Sequence, residues 1–342
     1  MKAGTTSAGS GLATEAAGAA TCSVVVATRD RPASLARCLQ SVRDQRIPGL
    51  EIIVADSASR SQEARSIASQ FGARYEYVER AGLSRARNRG ARAARGDAVV
   101  FLDDDVRLEP GCVAALLAEF VDPRVMLVGG RIVLEGGDEK ARRRFEDFGG
   151  FDPGTVRRVV DHGTPHWFEL VNFGGLGSGA MLAARRSAFE TWPGFDERLG
   201  RGAPLDAGEE LLAYFSLVSR GGRVVFAPDA VARHPGPASL EELRRRVLSG
   251  AAVGSAYLVL LLVEHPDYRG EALRYAAGAL RGQPRAWRPK TVTPRDQVAP
   301  RWRVRLAWAM GPVLYAAMRV RVRIDRTQRD GPRHPAAGSK RS

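Results

Sequence analysis

A chain of 342 residues is long enough to bury its own core, as one large domain or two modest ones. Its 44% hydrophobic and 26% charged residues are typical of a globular protein, which excludes a wholly disordered chain and a membrane protein with many spans. Three cysteines without zinc-ligand spacing predict neither a disulfide framework nor a structural zinc site, so a reducing compartment is expected.

The formal net charge of +14 is concentrated near the end of the chain. Residues 281–342 hold 16 Lys and Arg against three acidic residues, a net charge of +13. The first 280 residues are therefore almost neutral, and the charge does not predict a nucleic-acid partner. Nearly all basic residues are Arg, which we interpret as genomic composition bias more than selection for phosphate contacts.

Composition divides the chain into four predicted regions. Residues 1–20 are rich in Ala, Gly, Ser and Thr and lack the basic start and apolar run of a signal peptide, so they are predicted to be a disordered tail. An α/β domain is expected over 21–236, a helical basic extension over 237–325, and a disordered basic tail over 326–342.

The predicted α/β domain alternates short apolar runs with helix-length segments. In chain order the elements are strand 23–27, helix 32–45, strand 51–56, helix 61–71, strand 75–78, helix 83–94, strand 98–102, helix 111–120, strand 125–134, a polar excursion or mobile loop 136–164, strand 179–183, helix 186–191, helix 209–220 and strand 223–227, before a long helix over 240–263. This order predicts a mainly parallel sheet covered by helices on both faces. Ligand-binding residues are then expected at the carboxyl ends of the strands.

Two apolar runs lie in the C-terminal extension. They cover 250–263 and 306–318 and are 14 and 13 residues long, short of the roughly 18 needed to span a bilayer. The second contains Gly311-Pro312 and has three arginines on each side. It predicts either a packed helix with solvated ends or a helix that lies on a membrane surface.

Three consecutive carboxylates, Asp103-Asp104-Asp105, directly follow the apolar run 99–102. A divalent cation with phosphate oxygens is well suited to offset their mutual repulsion. Alternation along an extended segment would point Asp103 and Asp105 to one site and Asp104 away from it. A solvated acidic turn is the alternative interpretation.

Two further segments end near the same predicted edge. Asp56 ends another parallel strand, where it could accept hydrogen bonds from a nucleotide base or a ribose, or serve as a turn residue. Residues 82–90 begin a helix with basic side chains, a positive end suited to a diphosphate. Arg87 and Asn88 could instead lie on the surface.

Taken together, these runs resemble the successive motifs of family 2 glycosyltransferases over residues 22–236. The matching runs are Val24–Pro32, Ile52–Asp56, Gly82–Gly90, Gly96–Asp105, Gly177–Met181, Gly194–Glu197, Gly208–Glu210 and Pro228–His234. The resemblance implies a GT-A fold, a Rossmann-like α/β sheet, a nucleoside-diphosphate sugar donor and a divalent cation, Mg²⁺ or Mn²⁺. Asp103 and Asp105 would form its DxD site.

The resemblance also implies roles for individual residues. Donor binding would involve Thr28, Arg29, Asp56, Arg87, Asp103 and Asp104, and metal binding would involve Asp103, Asp105 and His234. His234 precedes a proline and could instead be a structural turn residue.

The catalytic base is expected at Glu209-Glu210, where the family usually has Glu-Asp. Glu210 matches the family's base with one extra methylene, and Glu209 is the alternative. Both could instead only interact with a helix dipole. The family's usual acidic residue and glycine after Asp56 are replaced by Ser57 and Ala58, which changes the expected contacts to the base.

The expected activity is an inverting glycosyl transfer to an acceptor hydroxyl, on a glycan or lipid-linked acceptor in cell-envelope glycan, polysaccharide or glycolipid synthesis. The enzyme is expected in the cytoplasm, with peripheral contact to anionic membrane through its basic C-terminal region. A nucleotidyltransferase would carry a glycine-rich loop where residues 28–32 have no glycine, and a dehydrogenase would carry GxGxxG there. A non-enzymatic binder of anionic surfaces leaves the acidic runs unexplained.

Overall fold

The computed structural model describes residues 21–147, 150–281 and 298–330. Within these ranges the chain forms nine strands and eleven α-helices. The strands are β1 Cys22–Thr28, β2 Glu51–Ser57, β3 Arg74–Val78, β4 Ala98–Asp103, β5 Arg107–Leu108, β6 Val125–Glu135, β7 Arg158–Val160, β8 Met181–Arg185 and β9 Arg223–Pro235. The helices are α1 Pro32–Arg43, α2 Glu63–Gln70, α3 Leu83–Ala93, α4 Cys112–Ala118, α5 Glu139–Asp147, α6 Trp167–Asn172, α7 Glu209–Val218, α8 Leu240–Glu264, α9 Arg269–Leu280, α10 Arg301–Ala309 and α11 Gly311–Asp330.

One mixed sheet organises the fold. Its strand order is β3-β2-β1-β4-β8-β6-β9-β5, and β7 pairs with β9. The first four strands in this order are parallel, which confirms the predicted βαβ units. The second half differs from the mainly parallel expectation because β8 runs antiparallel to both β4 and β6. The predicted α/β class, with a sheet between helices, is confirmed.

Both faces of the sheet are buried, which explains why its strands lack a polar–apolar alternation. All seven residues of β1 are buried. Val24 and Val26 point to a core shared with α1 and α4, whereas Val25 points to a core shared with α7 and α8. The strand therefore needs apolar side chains in both directions.

The parallel register brings the carboxyl ends of three strands together. Thr28 of β1 lies opposite Asp56 of β2, and Ala27 lies opposite Asp103 of β4. The polar residues predicted to follow these strands therefore meet at one edge of the sheet, as expected for a doubly wound arrangement. The carboxyl end of β9 carries His234, which pairs with Leu134 of β6.

Three local predictions differ from the structure. The 136–164 segment is not only an excursion, since it contains α5 and β7; Ala141 and Phe145, one helical turn apart, pack against α8. The strand predicted over 223–227 continues to Pro235, because its second half pairs with the end of β6. The short helix predicted over 186–191 is a 3₁₀ helix, Arg186–Glu190.

The C-terminal helices pack against the same core as the sheet. α8 has 25 residues and is long and apolar enough, by length and composition alone, to cross a membrane. Half of that apolar stretch is buried inside the protein, where Tyr257 donates a 2.6 Å hydrogen bond to Asn172. α10 and α11 pack on α8, and α11 extends to Asp330. The predicted tails lie outside the described residues over 1–20 and 331–342.

Candidate active site

A cleft of about 410 Å³ opens at the carboxyl edge of the sheet, within the usual size range of small-molecule sites. β1, β2, β4 and β9, the start of α3 and the start of α8 all contribute to its walls. Its lining includes Thr28, Arg29, Arg31, Ser57, Asp103, Asp104, Asp105, Phe151, Ser178, Arg201, His234, Glu242 and Arg246. Six of the predicted site residues are thus brought to one cleft.

The three consecutive aspartates all line this cleft. β4 ends at Asp103, so the chain turns at the next residue and the expected alternation stops there. Thr28 donates a 2.7 Å hydrogen bond to Asp104, and Arg31 donates to Asp104 at 3.3 Å and to Asp105 at 2.8 Å. Asp104 is buried, and its burial raises its pKa to about 6. The Arg31 guanidinium and the Thr28 hydroxyl thus offset part of the repulsion among the three carboxylates that the sequence implied.

His234 and Asp105 have the donor atoms that a divalent cation requires. His234 Nε2 lies 3.5 Å from Asp105 Oδ1, and His234 Nδ1 lies 2.8 Å from the carbonyl oxygen of Pro235. With its proton on Nδ1, the ring donates to that carbonyl, as metal-binding histidines commonly do with the nitrogen that does not bind the metal. The Nε2 lone pair then faces Asp105, so that a cation could bind between the two side chains. In the described part of the chain, no three acidic, His or Cys side chains converge into a complete metal site. A cation here would take its other ligands from a bound phosphate and water.

Arg87 does not line the cleft, which corrects the prediction that it faces a diphosphate directly. Its side chain is fully buried. The guanidinium donates to Asp103 at 2.8 Å, to the carbonyl of Gly179 at 2.6 Å and to Glu209 at 3.0 Å. It also stacks over Phe195. Arg87 therefore connects the acidic end of β4 to the start of α7.

Glu209 and Glu210 begin α7 after Gly208, whose φ of 94° lies in the left-handed region. Glu209 is buried and held by Arg87, whereas Glu210 is partly exposed and forms no ion pair within the described residues. A side chain at Gly179 would come within 3.3 Å of both Glu209 Oε1 and Glu210 Cδ, and the residues on each side of Gly179 line the cleft, although neither glutamate does. Glu210 is therefore the better placed of the two to act as a base.

Burial and the neighbouring Glu209 raise the pKa of Glu210 from its ordinary value of 4.5 to about 8. The folded protein then holds a proton at Glu210 that the unfolded chain has lost between these two values. The contribution of Glu210 to the free energy of unfolding must therefore fall as pH rises from about 5 to about 8.

We expect Glu210→Gln to become progressively more stable than the unmodified protein as pH rises through this interval, because Gln cannot lose a proton. Melting temperatures of the two proteins, measured from acidic to alkaline buffer, test this. A constant difference in melting temperature across the series would contradict the raised pKa.

Asp56 is fully buried and does not line the cleft. Its Oδ1 accepts a 2.8 Å hydrogen bond from the backbone of Ser59, and its Oδ2 accepts a 2.7 Å hydrogen bond from Tyr75. This geometry agrees with the interpretation of Asp56 as a turn residue. It corrects the expectation that Asp56 contacts a nucleotide base or ribose directly. Ser57 lines the cleft instead, and its hydroxyl accepts from the backbone of Gly82.

Five charged or aromatic cleft residues were not assigned a role from the sequence. Arg31 had a weak signal, since it lies within the first matching run. Arg201 lies between the predicted helices 186–191 and 209–220, outside every matching run. Phe151, Glu242 and Arg246 had no signal, because they come from the predicted excursion and from the C-terminal extension. Arg246 donates to Glu242 at 2.9 Å, one turn earlier on α8, so this ion pair forms one wall of the cleft.

The sequence model of Glycosyl transferase family 2 matches residues 23–192, about half of the chain and the part that carries the acidic triplet and Arg87. The protein belongs to this family. The motifs of the sequence had indicated this membership. His234 and the two glutamates that begin α7 lie beyond the matched residues.

Two curated relatives of this family 2 chain are named as glycosyltransferases. A pre-mycofactocin glycosyltransferase of Mycobacterium tuberculosis is 29% identical over 267 residues, 75% of this chain and 50% of the relative. An N-acetylglucosaminyltransferase of Rhizobium meliloti is 25% identical over 67% of this chain and 54% of the relative. The chain thus spans about half the length of these relatives.

A solved structure has the same fold at low sequence identity. The mannosyltransferase PcManGT of Pyrobaculum calidifontis, in complex with GDP-Man and Mn²⁺, matches 92% of this chain and 76% of its own with a TM-score of 0.51. The identity is 17%, so this likeness concerns the fold alone.

Proposed function

We propose that this glycosyltransferase moves a sugar from a nucleoside-diphosphate sugar to an acceptor hydroxyl by one inverting displacement. The observation that carries the proposal is the link through Arg87, which joins Asp103 at the end of β4 to Glu209, the neighbour of Glu210 on α7. The link holds a candidate base at a fixed position relative to the aspartates of the cleft. The GDP-Man in the Pyrobaculum structure supports this class of donor.

The donor would lie along the cleft with its charged diphosphate near the acidic triplet. Arg29, Arg201 and Arg246 line the cleft and are suited to contact its phosphate oxygens. Thr28 and Ser57 line the wall at the ends of β1 and β2, where the nucleoside would bind, and Asp56 would hold that wall in shape through its buried hydrogen bonds.

Asp105 and His234 would hold Mg²⁺ or Mn²⁺ together with the donor phosphates, while Asp103, which Arg87 binds, would add negative charge at the end of β4. The Mn²⁺ of the Pyrobaculum complex supports a divalent cation. Such a cation, when bound, offsets negative charge on the departing diphosphate. Arg31 keeps Asp104 and Asp105 paired and oriented toward the cleft.

In the proposed reaction, Glu210 accepts the proton of the acceptor hydroxyl. The oxygen attacks the anomeric carbon from the side opposite the diphosphate, and the carbon–oxygen bond to the diphosphate breaks with its electron pair on the leaving group. The configuration at the anomeric carbon inverts. Burial, together with the negative charge of Glu209, keeps the pKa of Glu210 high enough for it to accept a proton.

The acceptor would be a glycan or a lipid-linked sugar of cell-envelope, polysaccharide or glycolipid synthesis, used in the cytoplasm at the inner face of the membrane. The basic C-terminal region supports this location, because its net charge of +13 favours anionic lipid. Nucleic acid is not part of the proposal, since the excess charge lies outside the cleft domain.

Arg246→Gln should raise the KM for the donor about tenfold with little change in kcat, because a charged contact to phosphate is lost. Arg245→Gln is the matched control, since Arg245 is an exposed neighbour on α8 that does not line the cleft. Steady-state kinetics on both variants check this expectation. Equal KM values for Arg246→Gln and Arg245→Gln would show that Arg246 of α8 does not contact the donor.

Thermal-shift measurements with a panel of nucleotide sugars test the proposal, with Mg²⁺, Mn²⁺ or a chelator present. We expect at least one nucleoside-diphosphate sugar to raise the melting temperature, and more strongly with a cation, because ligands that bind the folded state stabilise it. Stabilisation only by a nucleoside triphosphate with a sugar phosphate would indicate a nucleotidyltransferase and overturn the proposal.

A further inference from the structure

An exposed apolar stripe runs along α10 and α11. Its members recur every three, four or seven residues, which is the spacing of one helix face. They are Trp302, Leu306, Met310, Val313, Val320 and Ile324, and between 42% and 62% of each is exposed. A hydrogen bond from Leu314 N to Met310 O continues the helical pattern across the junction of the two helices. We call these six residues the outer stripe.

The opposite side of the same helices is already packed. Tyr315 and Met318 are buried in the core around α7 and α8, and Trp308, Leu314 and Val322 pack against it. Contacts with the core therefore account for the inward apolar residues of these helices and leave the outer stripe without a role in folding.

Arginines flank the outer stripe on both sides. They occupy positions directly before or after its members: Arg301, Arg303, Arg305, Arg319, Arg321 and Arg323. No acidic residue occurs from Arg301 to Ile324. A narrow apolar face with Trp and with basic borders is the pattern of helices that lie in the interface of a bilayer.

We infer that the outer stripe inserts into the interfacial layer of a bilayer with anionic headgroups, while the bordering arginines contact those headgroups. Six exposed apolar side chains do not suit nucleic acid, which presents phosphates. A second copy of this face would bring like-charged arginines together, which disfavours pairing of two copies.

Helix α11 also borders a groove that adjoins the cleft. Arg321 and Val322 of α11 line a groove together with Gly202, and Gly202 also lines the cleft. An acceptor held in the bilayer would then reach the cleft along this groove, a step that rests on the proposed function. Docking of the stripe itself does not depend on the reaction.

Co-sedimentation with vesicles tests the inference, using phosphatidylcholine alone and phosphatidylcholine mixed with phosphatidylglycerol. The full chain should bind the mixed vesicles. The triple variant Leu306→Asp, Val313→Asp, Val320→Asp should bind them about tenfold or more weakly, because each substitution places a charge on the inserted face. Val121→Asp with Val156→Asp is the matched control, since both valines are exposed in the α/β domain, and it should bind normally.

Unchanged binding by the triple variant would overturn the inference. So would a dimer of the full chain, seen by light scattering, that the triple variant abolishes, since a second copy would then cover the stripe. Should the triple variant fail to fold, quenching by brominated lipid that is lost in Trp302→Phe supports insertion, and equal quenching in both proteins contradicts it. Vesicle binding without release of nucleoside diphosphate would refute the proposed function and leave the docking surface intact.

Discussion

Replacing Glu210 with Gln should reduce glycosyl transfer by about 10²–10⁴-fold while donor affinity stays nearly unchanged, because the variant lacks the group that accepts the acceptor's proton. Glu210 is partly exposed beside Gly179, whose neighbours line the cleft, and the proposed function places the acceptor hydroxyl next to it. Its raised pKa of about 8 also predicts that transfer rises with pH until Glu210 is deprotonated. Transfer rates and donor calorimetry on the purified variant measure both effects.

The Glu209→Gln variant distinguishes the role of Glu209 from that of Glu210. Glu209 is buried and accepts a 3.0 Å hydrogen bond from Arg87, so its loss should lower stability and leave a measurable rate. The pH profile of the remaining activity should shift to lower pH, because one negative neighbour of Glu210 has been removed. Full activity in Glu210→Gln together with none in Glu209→Gln would reassign the base to Glu209.

Arg87→Met should destabilise the protein by about 3–5 kcal/mol, since it removes one partner of a buried charge network. Asp103 and Glu209 both pair with this guanidinium, and Glu209 would keep an uncompensated charge in the core. Transfer should fall as well, because the strand end and the start of α7 lose their connection. Chemical denaturation and transfer kinetics on the same preparation measure these losses.

Arg89→Met is the matched control for Arg87→Met. Arg89 lies on the same helix and pairs with Glu76, but about half of its side chain is exposed. Loss of such a pair should cost less than about 1 kcal/mol. Arg87→Lys should have a higher free energy of unfolding than Arg87→Met, because Lys retains the positive charge, although it lacks the planar guanidinium group. A similar small cost for Arg87→Met and Arg89→Met would show that the buried network does not hold the site together.

Local patterns predicted the first half of the sheet well. β1, β2 and β4 are short apolar runs that end in a polar residue, and the chain alternates them with helices of ordinary length. The far end of β9 was not predictable, because its strand conformation depends on pairing with β6 about a hundred residues earlier. The reversal at β8 likewise depends on tertiary pairing and not on local sequence.

In the candidate site, too, some residues were predictable from local sequence and others depend on tertiary packing. The edge that holds Thr28 and Asp103 followed from parallel strands alone. Whether Arg87 faces solvent or the core could not be read from a helix start that is basic throughout, and its burial depends on Glu209, which lies 122 residues away in sequence. Arg246 could not be predicted as a cleft residue, because it lines the cleft only through the tertiary packing of the start of α8.

The rate of nucleoside diphosphate release is the sharpest test of cation-dependent transfer from a nucleotide sugar. It would be measured for the unmodified protein and for Asp105→Asn with a stabilising nucleotide sugar, in Mg²⁺ or Mn²⁺ and in a chelator. We expect cation-dependent release by the unmodified protein and none above background by Asp105→Asn, because Asp105 faces His234 where donor phosphates and cation would meet. Equal release by both proteins would contradict this expectation.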